Sequence, residues 1–322
     1  MANPIDLATL FREQIGGRRN LIINGAMQVA QRGTSIACPA STLTYTMDRF
    51  FAQPAGNAAT TVSQVTDAPV GFQYSARVTR NSGQTGTLTR FETPFETRDI
   101  VNLREKKVTV SFYAKAGSNL STSSNAISLL LFEGDGTERA RGASGYDNQT
   151  VLINSPKTLT TSWQRFTHTT SSAVSSDTTQ LAVQFQAIWT GTAGSNDEFF
   201  ITGIQLEVGE TATPFEHRSY GEELALCQRY YQVIAYSTVG QQDGAYSTDH
   251  FSVPFNVMRA LPTLDAFTFT KVGHVAGSLT NLGGATISYF NNAVDFVWSS
   301  TDSGYRNNGY RVAGSMSLKA EL

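Results

Sequence analysis

Three carboxylates, Glu133, Asp135 and Glu138, crowd into "LFEGDGTERARG", the densest source of acid–base chemistry in the chain. A glycosidase needs two such groups held at a fixed separation. A hairpin turn needs the same residue types for backbone reasons, since Asp and Gly supply the conformations that tight turns require. The stretch also lacks the ligand ladder of an EF-hand calcium loop, and the turn reading is preferred. The four histidines, His168, His217, His250 and His274, lie far apart, and none has a second ligand at metal spacing. Walker A, G-x-G-x-x-G, G-x-S-x-G and H-E-x-x-H patterns are all missing from the sequence. The expectation is therefore no catalytic residue, no metal and no cofactor.

Binding chemistry is better represented. The chain has 19 Phe, 12 Tyr and 3 Trp. Trp189 shares an alternating face with Val183 and Phe185, and Trp298 shares one with Phe296, so both read as core. Tyr305 and Tyr310 instead sit with Arg306, Asn307 and Asn308 in "STDSGYRNNGYR", and Tyr146 sits in "GASGYDNQ". Tyr, Asn and Arg in polar loops make adaptable binding surfaces. Tyr146, Tyr305, Arg306, Asn308 and Tyr310 are the candidate ligand contacts, against the alternative that a turn tyrosine lays its ring flat on the protein body.

The elements that must position these residues follow from composition and period. Charged residues make up 16% of the 322-residue chain, below the ~25% of an ordinary soluble protein. Thr, Ser, Gly and Asn take their place, which suits short strands joined by polar turns. A formal net charge of -2 and the lack of a long basic run argue against a nucleic-acid partner. No stretch is long and apolar enough to span a membrane, and the start has no cationic region followed by an apolar core. Cys38 and Cys227 are expected to be free, as in a protein that folds in a reducing cytoplasm.

Residues 108–115, 181–189 and 204–208 alternate apolar and polar side chains, which predicts sheets packed face to face. "TRNSGQTGT", "EGDGTE", "RGASGYDNQ" and "TGTAGSND" supply the turns. The pattern breaks at Pro214-Phe215. Ser219 and Glu222 then form a capping box, and Leu224, Cys227 and Tyr231 fall on one helical face. A second β region of about six strands follows, with alternation at Phe267/Phe269, Val294/Phe296/Trp298 and Val312/Met316/Leu318. At the other end, Asn3 and Pro4 open an amphipathic helix whose Leu7, Leu10, Phe11 and Ile15 share a face. The expected fold is all-β: residues 1–19 an attachment helix, 20–218 a sandwich, 219–231 a linker helix, and 232–322 a second, smaller β-sandwich.

"NLIINGAMQVAQRG", "YTMDRFF", "VSFYAKAG", "TTSWQRFT", "ITGIQLEVGETATPFEHRSYGEELALCQRYYQ" and "FSVPFNVMRALPT" occur in that order between residue 20 and about residue 265. Together they resemble bacteriophage tail-fibre and related virion proteins, in which a carbohydrate-binding-module-like jelly roll precedes a small C-terminal β domain. Phe50 stands where that family usually has tryptophan, which weakens any sugar-stacking role there. The resemblance implies a non-enzymatic virion protein assembled in the bacterial cytoplasm, a homotrimeric short tail fibre that contributes to glycan attachment. Leu7, Leu10, Phe11 and Ile15 would join it to other virion proteins, against the alternative that this face packs on the chain's own body. The alternatives are a capsid decoration or head fibre, a baseplate or neck adaptor, and, from a different class, a polysaccharide depolymerase.

Overall fold

The computed structural model describes residues 18–241, 247–273, 286–290, 293–300 and 309–322. The helix expected over residues 1–19, with Leu7, Leu10, Phe11 and Ile15, lies outside them. The fold is all-β, and the chain divides into two compact units on either side of the Cys227–Gln228 bond.

The first unit is a sandwich of two six-stranded antiparallel sheets. One sheet contains β1 (Ser35–Cys38), β4 (Thr60–Val65), β5 (Ser75–Arg80), β7 (Val108–Ala116), β10 (Gln164–Thr169) and β12 (Glu198–Val208), in the spatial order β1-β4-β5-β12-β7-β10. The other contains β2 (Thr44–Tyr45), β3 (Phe51–Ala55), β6 (Leu88–Phe95), β8 (Thr122–Asp135), β9 (Asp147–Thr158) and β11 (Gln180–Trp189), in the order β2-β3-β6-β11-β8-β9. Alternation explains the assembly. Val108, Val110, Phe112 and Ala114 of β7, and Leu181, Val183, Phe185, Ala187 and Trp189 of β11, all point into one core. Phe112 meets Phe185 edge-on with 4.8 Å between ring centroids, a favoured aromatic geometry that links the two sheets. Phe50 belongs to this core as well, stacked on Phe91 at 5.1 Å.

A buried ion pair closes one end of the sandwich. Arg80 and Asp197 face each other at 2.8 Å, and their side chains are 0% and 1% exposed. Arg80 also donates to the carbonyls of Gly86, Gly191 and Thr190 and to Ser121 Oγ. Asp197 accepts from the amide and hydroxyl of Ser121. With both charges neutralised and hydrogen-bonded, burial is sustainable.

The entering segment is fixed by asparagines. Asn24 has φ +61°, a left-handed conformation that Asn tolerates better than most residues. Its carboxamide bonds Val29 through both backbone groups and also the carbonyl of Asp48. A Cβ on Gly25 would lie 2.1 Å from the carbonyl oxygen of Ile204, so only glycine fits against β12 there.

Among the described residues, two short α-helices interrupt the strands. α1 (Thr97–Ile100) follows β6, and α2 (Tyr220–Gln228) follows β12. The amide of Glu222 lies 3.4 Å from Ser219 Oγ, which places Ser219 at the N-cap. Tyr231 does not continue the helical face. It opens β13 (Tyr231–Gln241) opposite Lys319 in β18 (Gly309–Lys319), because an eleven-residue ladder outweighs a further helical turn.

The second unit has two three-stranded antiparallel sheets. One is β13-β18-β15, where β15 is Thr263–Gly273, and the other is β14-β17-β16, formed by Ser247–Pro254, Ala293–Ser300 and Thr286–Phe290. Tyr230, Tyr231, Met316 and Leu318 are buried in it. Gln232 ties its start together, donating to the carbonyls of Gln228 and Asn256 and accepting from the Asn256 amide.

Candidate functional site: the outer face of the β2-β3-β6-β11-β8-β9 sheet

The register of this sheet sets its outward side chains in rows. One row runs Tyr45–Phe51–Glu92–Gln184–Leu130–Asn154 across all six strands. Its neighbour runs Gln53–Arg90–Gln186–Ser128–Pro156. These are the residues between the core positions of each strand, so period two puts them on the opposite face from Phe91, Phe185 and Leu129.

A loop from β8 to β9, residues 136–146, crosses the first row and covers it. Tyr146 anchors the loop: it is 7% exposed, and its hydroxyl donates to the Leu181 carbonyl at 3.1 Å. It packs with Leu130, Phe132 and Ala182 in a small cluster separate from the main core. Gly134 makes the space, since a Cβ there would lie 2.4 Å from the Tyr146 Cβ. Arg141 then reaches down. Its Cζ is 3.4 Å from the centroid of the Phe132 ring, a cation–π contact. Its Nη1 donates to Gln184 Oε1 at 3.0 Å and lies 3.5 Å from Glu92 Oε2, while its Nε donates to Gln149 at 2.7 Å.

Glu92 is fully buried, and the Gly142 amide donates to it at 3.3 Å. Burial pushes its carboxyl up to about 7, and the Arg141 charge acts in the opposite sense. Burial, followed by the neighbouring Arg141 charge, draws Arg90 below the ordinary arginine range.

The second row is left half-buried. Gln53, Arg90, Gln186 and Ser128 offer amides, a guanidinium and a hydroxyl along a rigid surface. Gln186 Oε1 accepts from Gln184 Nε2 at 3.0 Å, which holds its amide in place. The carboxamide oxygen of Gln53 is buried without a hydrogen-bond partner. Such groups exchange hydrogen bonds with hydroxyls in both directions.

Of the residues singled out from sequence, Tyr146 lies at this site. Tyr146 is the buried anchor of the loop and presents no open ring to a ligand. Tyr305, Arg306 and Asn308 lie outside the described residues. Tyr310 is a strand residue and not a loop residue, because β18 pairs it with Gly240 on one side and Gly273 on the other. The acidic cluster disperses into structural bonds. Glu133 accepts from the Ser175 amide and Thr178 hydroxyl, Asp135 from Asn148, and Glu138 from the Thr97 amide. Among the described residues, no group of three or more His, Cys, Asp or Glu side chains is placed to hold a metal. Cys38 and Cys227 are both buried, and neither forms a disulfide. Glu92, Arg141, Gln184 and Gln186 were not singled out. The Arg-Phe-Glu alternation at 90–92 marks an outward face but not the loop that covers it.

No protein-family model matches the chain, and no curated protein matches its sequence. Several solved structures are similar. The enzymatically active domain of tailspike protein 4 of bacteriophage CBA120 is 13% identical with a TM-score of 0.38, covering 59% of this chain and 21% of its own. The present chain thus spans about a fifth of that tailspike chain. A xylan-binding domain of carbohydrate-binding-module family 22 is 13% identical, with a TM-score of 0.34 and coverage of 54% and 98%. TmCBM61, solved with β-1,4-galactotriose, is 13% identical, with a TM-score of 0.34 and coverage of 60% and 100%. Likenesses at this level say nothing of what the present chain binds.

Proposed function

We propose that the chain is a non-enzymatic structural protein of a phage virion, a short tail fibre that contributes to attachment on host-surface glycan. The observation that carries the reading is the half-buried row Gln53–Arg90–Gln186–Ser128 on the outer face of a six-stranded sheet. A saccharide laid along it meets donors and acceptors spaced by the strands themselves, with little side-chain ordering left to do on binding. The covering loop sets the limit of the row by sealing Glu92 and Gln184 beneath Arg141. The six sequence blocks that resemble tail-fibre proteins supply the virion context and the trimeric state. In a trimer, three weak rows acting together would raise adhesion well above that of any one of them.

The test is adsorption. Purified chain should compete with phage particles for host cells, and the Arg90→Ala/Gln186→Ala variant should compete at least tenfold less well with unchanged folding. Absence of competition by the wild-type chain would remove the attachment role and favour decoration or an adaptor. Release of reducing sugar from host envelope would make the protein an enzyme.

A further inference from the structure

On the other sheet of the sandwich, the chain encloses a second polar site. A cavity of about 430 Å³ is lined by Gln28, Gln31, Gln64, Gln73, Tyr74 and Tyr220 among others. Its size is within the ~300–1,000 Å³ usual for small-molecule sites. Four glutamines in one pocket come from three separate parts of the chain: the entering segment, β4, and the loop before β5. Tyr220 adds the first residue of α2.

Hydrogen bonds fix the walls. Gln64 Nε2 donates to the carbonyls of Met27 and Gln28, at 2.6 and 3.1 Å. Gln31 holds both carboxylate oxygens of Asp48, through its amide nitrogen and its side chain, each at 2.7 Å. The Tyr74 carbonyl is held by Thr202 Oγ1 at 2.8 Å. Two lining residues are exposed: Gln73, whose side-chain amide donates to the Tyr74 hydroxyl at 3.2 Å, and Tyr220, which is 57% exposed.

This chemistry selects a ligand class. Every residue lining the cavity is uncharged, so an anionic ligand would find no fixed cation there. A carboxamide both donates and accepts, as does a tyrosine hydroxyl, which matches the dual character of sugar hydroxyls. A ring at the rim offers an apolar face to the C–H side of a pyranose. We infer that this amide-lined cavity is a second glycan site, taking a neutral mono- or disaccharide unit at the end of a chain. The inference rests on the attachment reading for its ligand class, but it involves a different sheet and different residues from the Gln53–Arg90–Gln186–Ser128 row.

The test uses the full chain on an array of neutral oligosaccharides and methyl pyranosides, followed by titration of the strongest binder as its free methyl glycoside. Gln73→Ala and Tyr220→Ala change exposed rim residues, and Gln28→Ala changes a half-buried wall. Each variant is checked by thermal melting. The expected result is a loss of at least tenfold in affinity for Gln73→Ala/Tyr220→Ala, with the melting temperature kept. Wild-type affinity in Gln73→Ala/Tyr220→Ala and in Gln28→Ala, alongside loss in Arg90→Ala/Gln186→Ala, would overturn the second site and leave the attachment reading intact. No binding by the wild-type chain to any neutral saccharide would overturn the second site, and the attachment reading is then decided by adsorption.

Discussion

Arg141 sits between a ring and an acid: its Cζ is 3.4 Å from the centroid of Phe132, and its Nη1 is 3.5 Å from a carboxylate oxygen of Glu92. The contact holds the 136–146 loop on the sheet and compensates a charge that has no exposure of its own. Arg141→Ala should therefore destabilise the fold by about 3 kcal/mol at pH 9, where the Glu92 carboxyl, raised to about 7, is charged; this is the usual cost of stranding a buried partner. At pH 5 the loss should be clearly smaller, because Glu92 can shed its charge by taking a proton. Denaturant melts at both pH values would check this, and equal losses would contradict it.

Glu92 gives the wild-type chain its own pH dependence. Its folded carboxyl is raised from 4.5 to about 7, first by burial. The folded state then holds the proton more tightly than the unfolded state. Its contribution is fully present below pH 4.5 and is lost as the pH rises through about 7, a change of up to about 3 kcal/mol. Glu92→Gln should flatten that part of the stability–pH curve. A curve for the variant that still falls between those limits would assign the slope to another group.

Removing Arg80 leaves Asp197 sealed at one end of the sandwich with its main partner gone. Arg80→Ala should cost about 3–5 kcal/mol, enough to abolish folding of a marginal domain. Replacing both, as Arg80→Met/Asp197→Leu, should recover part of that loss. Soluble yield and melting temperature would report both outcomes.

Gly25→Ala tests the close approach of the entering turn to β12. The new methyl would meet the Ile204 carbonyl at 2.1 Å, and overpacking of this kind costs about 1–3 kcal/mol. The amide of Ile204, which donates to the Gly25 carbonyl at 2.9 Å, should lose hydrogen-exchange protection first.

The sandwich was legible because most of its core strands follow period two: Phe112 and Phe185 could be assigned inward from alternation alone, whereas β12 shifts register between Thr202 and Gln205. The face that carries Glu92 was not, because its meaning depends on register and cover. Glu92 and Arg141 are 49 residues apart, and nothing local says that one loop will fold over the other's strand. The stretch "GDGTERARG" was read as a turn, and its carboxylates are spent on internal donors, Asp135 on the Asn148 carboxamide and Glu138 on the Thr97 amide. Arg141 was passed over because a charged loop residue ordinarily faces water. Tyr146 looked like a loop residue for the same reason, and only the gap opened by Gly134 lets it go under. Tyr231 and Tyr310 were misplaced by locality: each has a neighbourhood suited to a helix end or a turn, and each is captured by a partner strand distant in sequence.

The position of β12 between β5 and β7 sets a schedule for synthesis. This sheet stays open along its middle until Val208 has left the ribosome. The turn at Asn24 waits longer still, since its amide is held by Glu223. For most of translation the earlier strands have edges without a mate, and on a crowded polysome the nearest substitute is the same strand of the adjacent nascent chain.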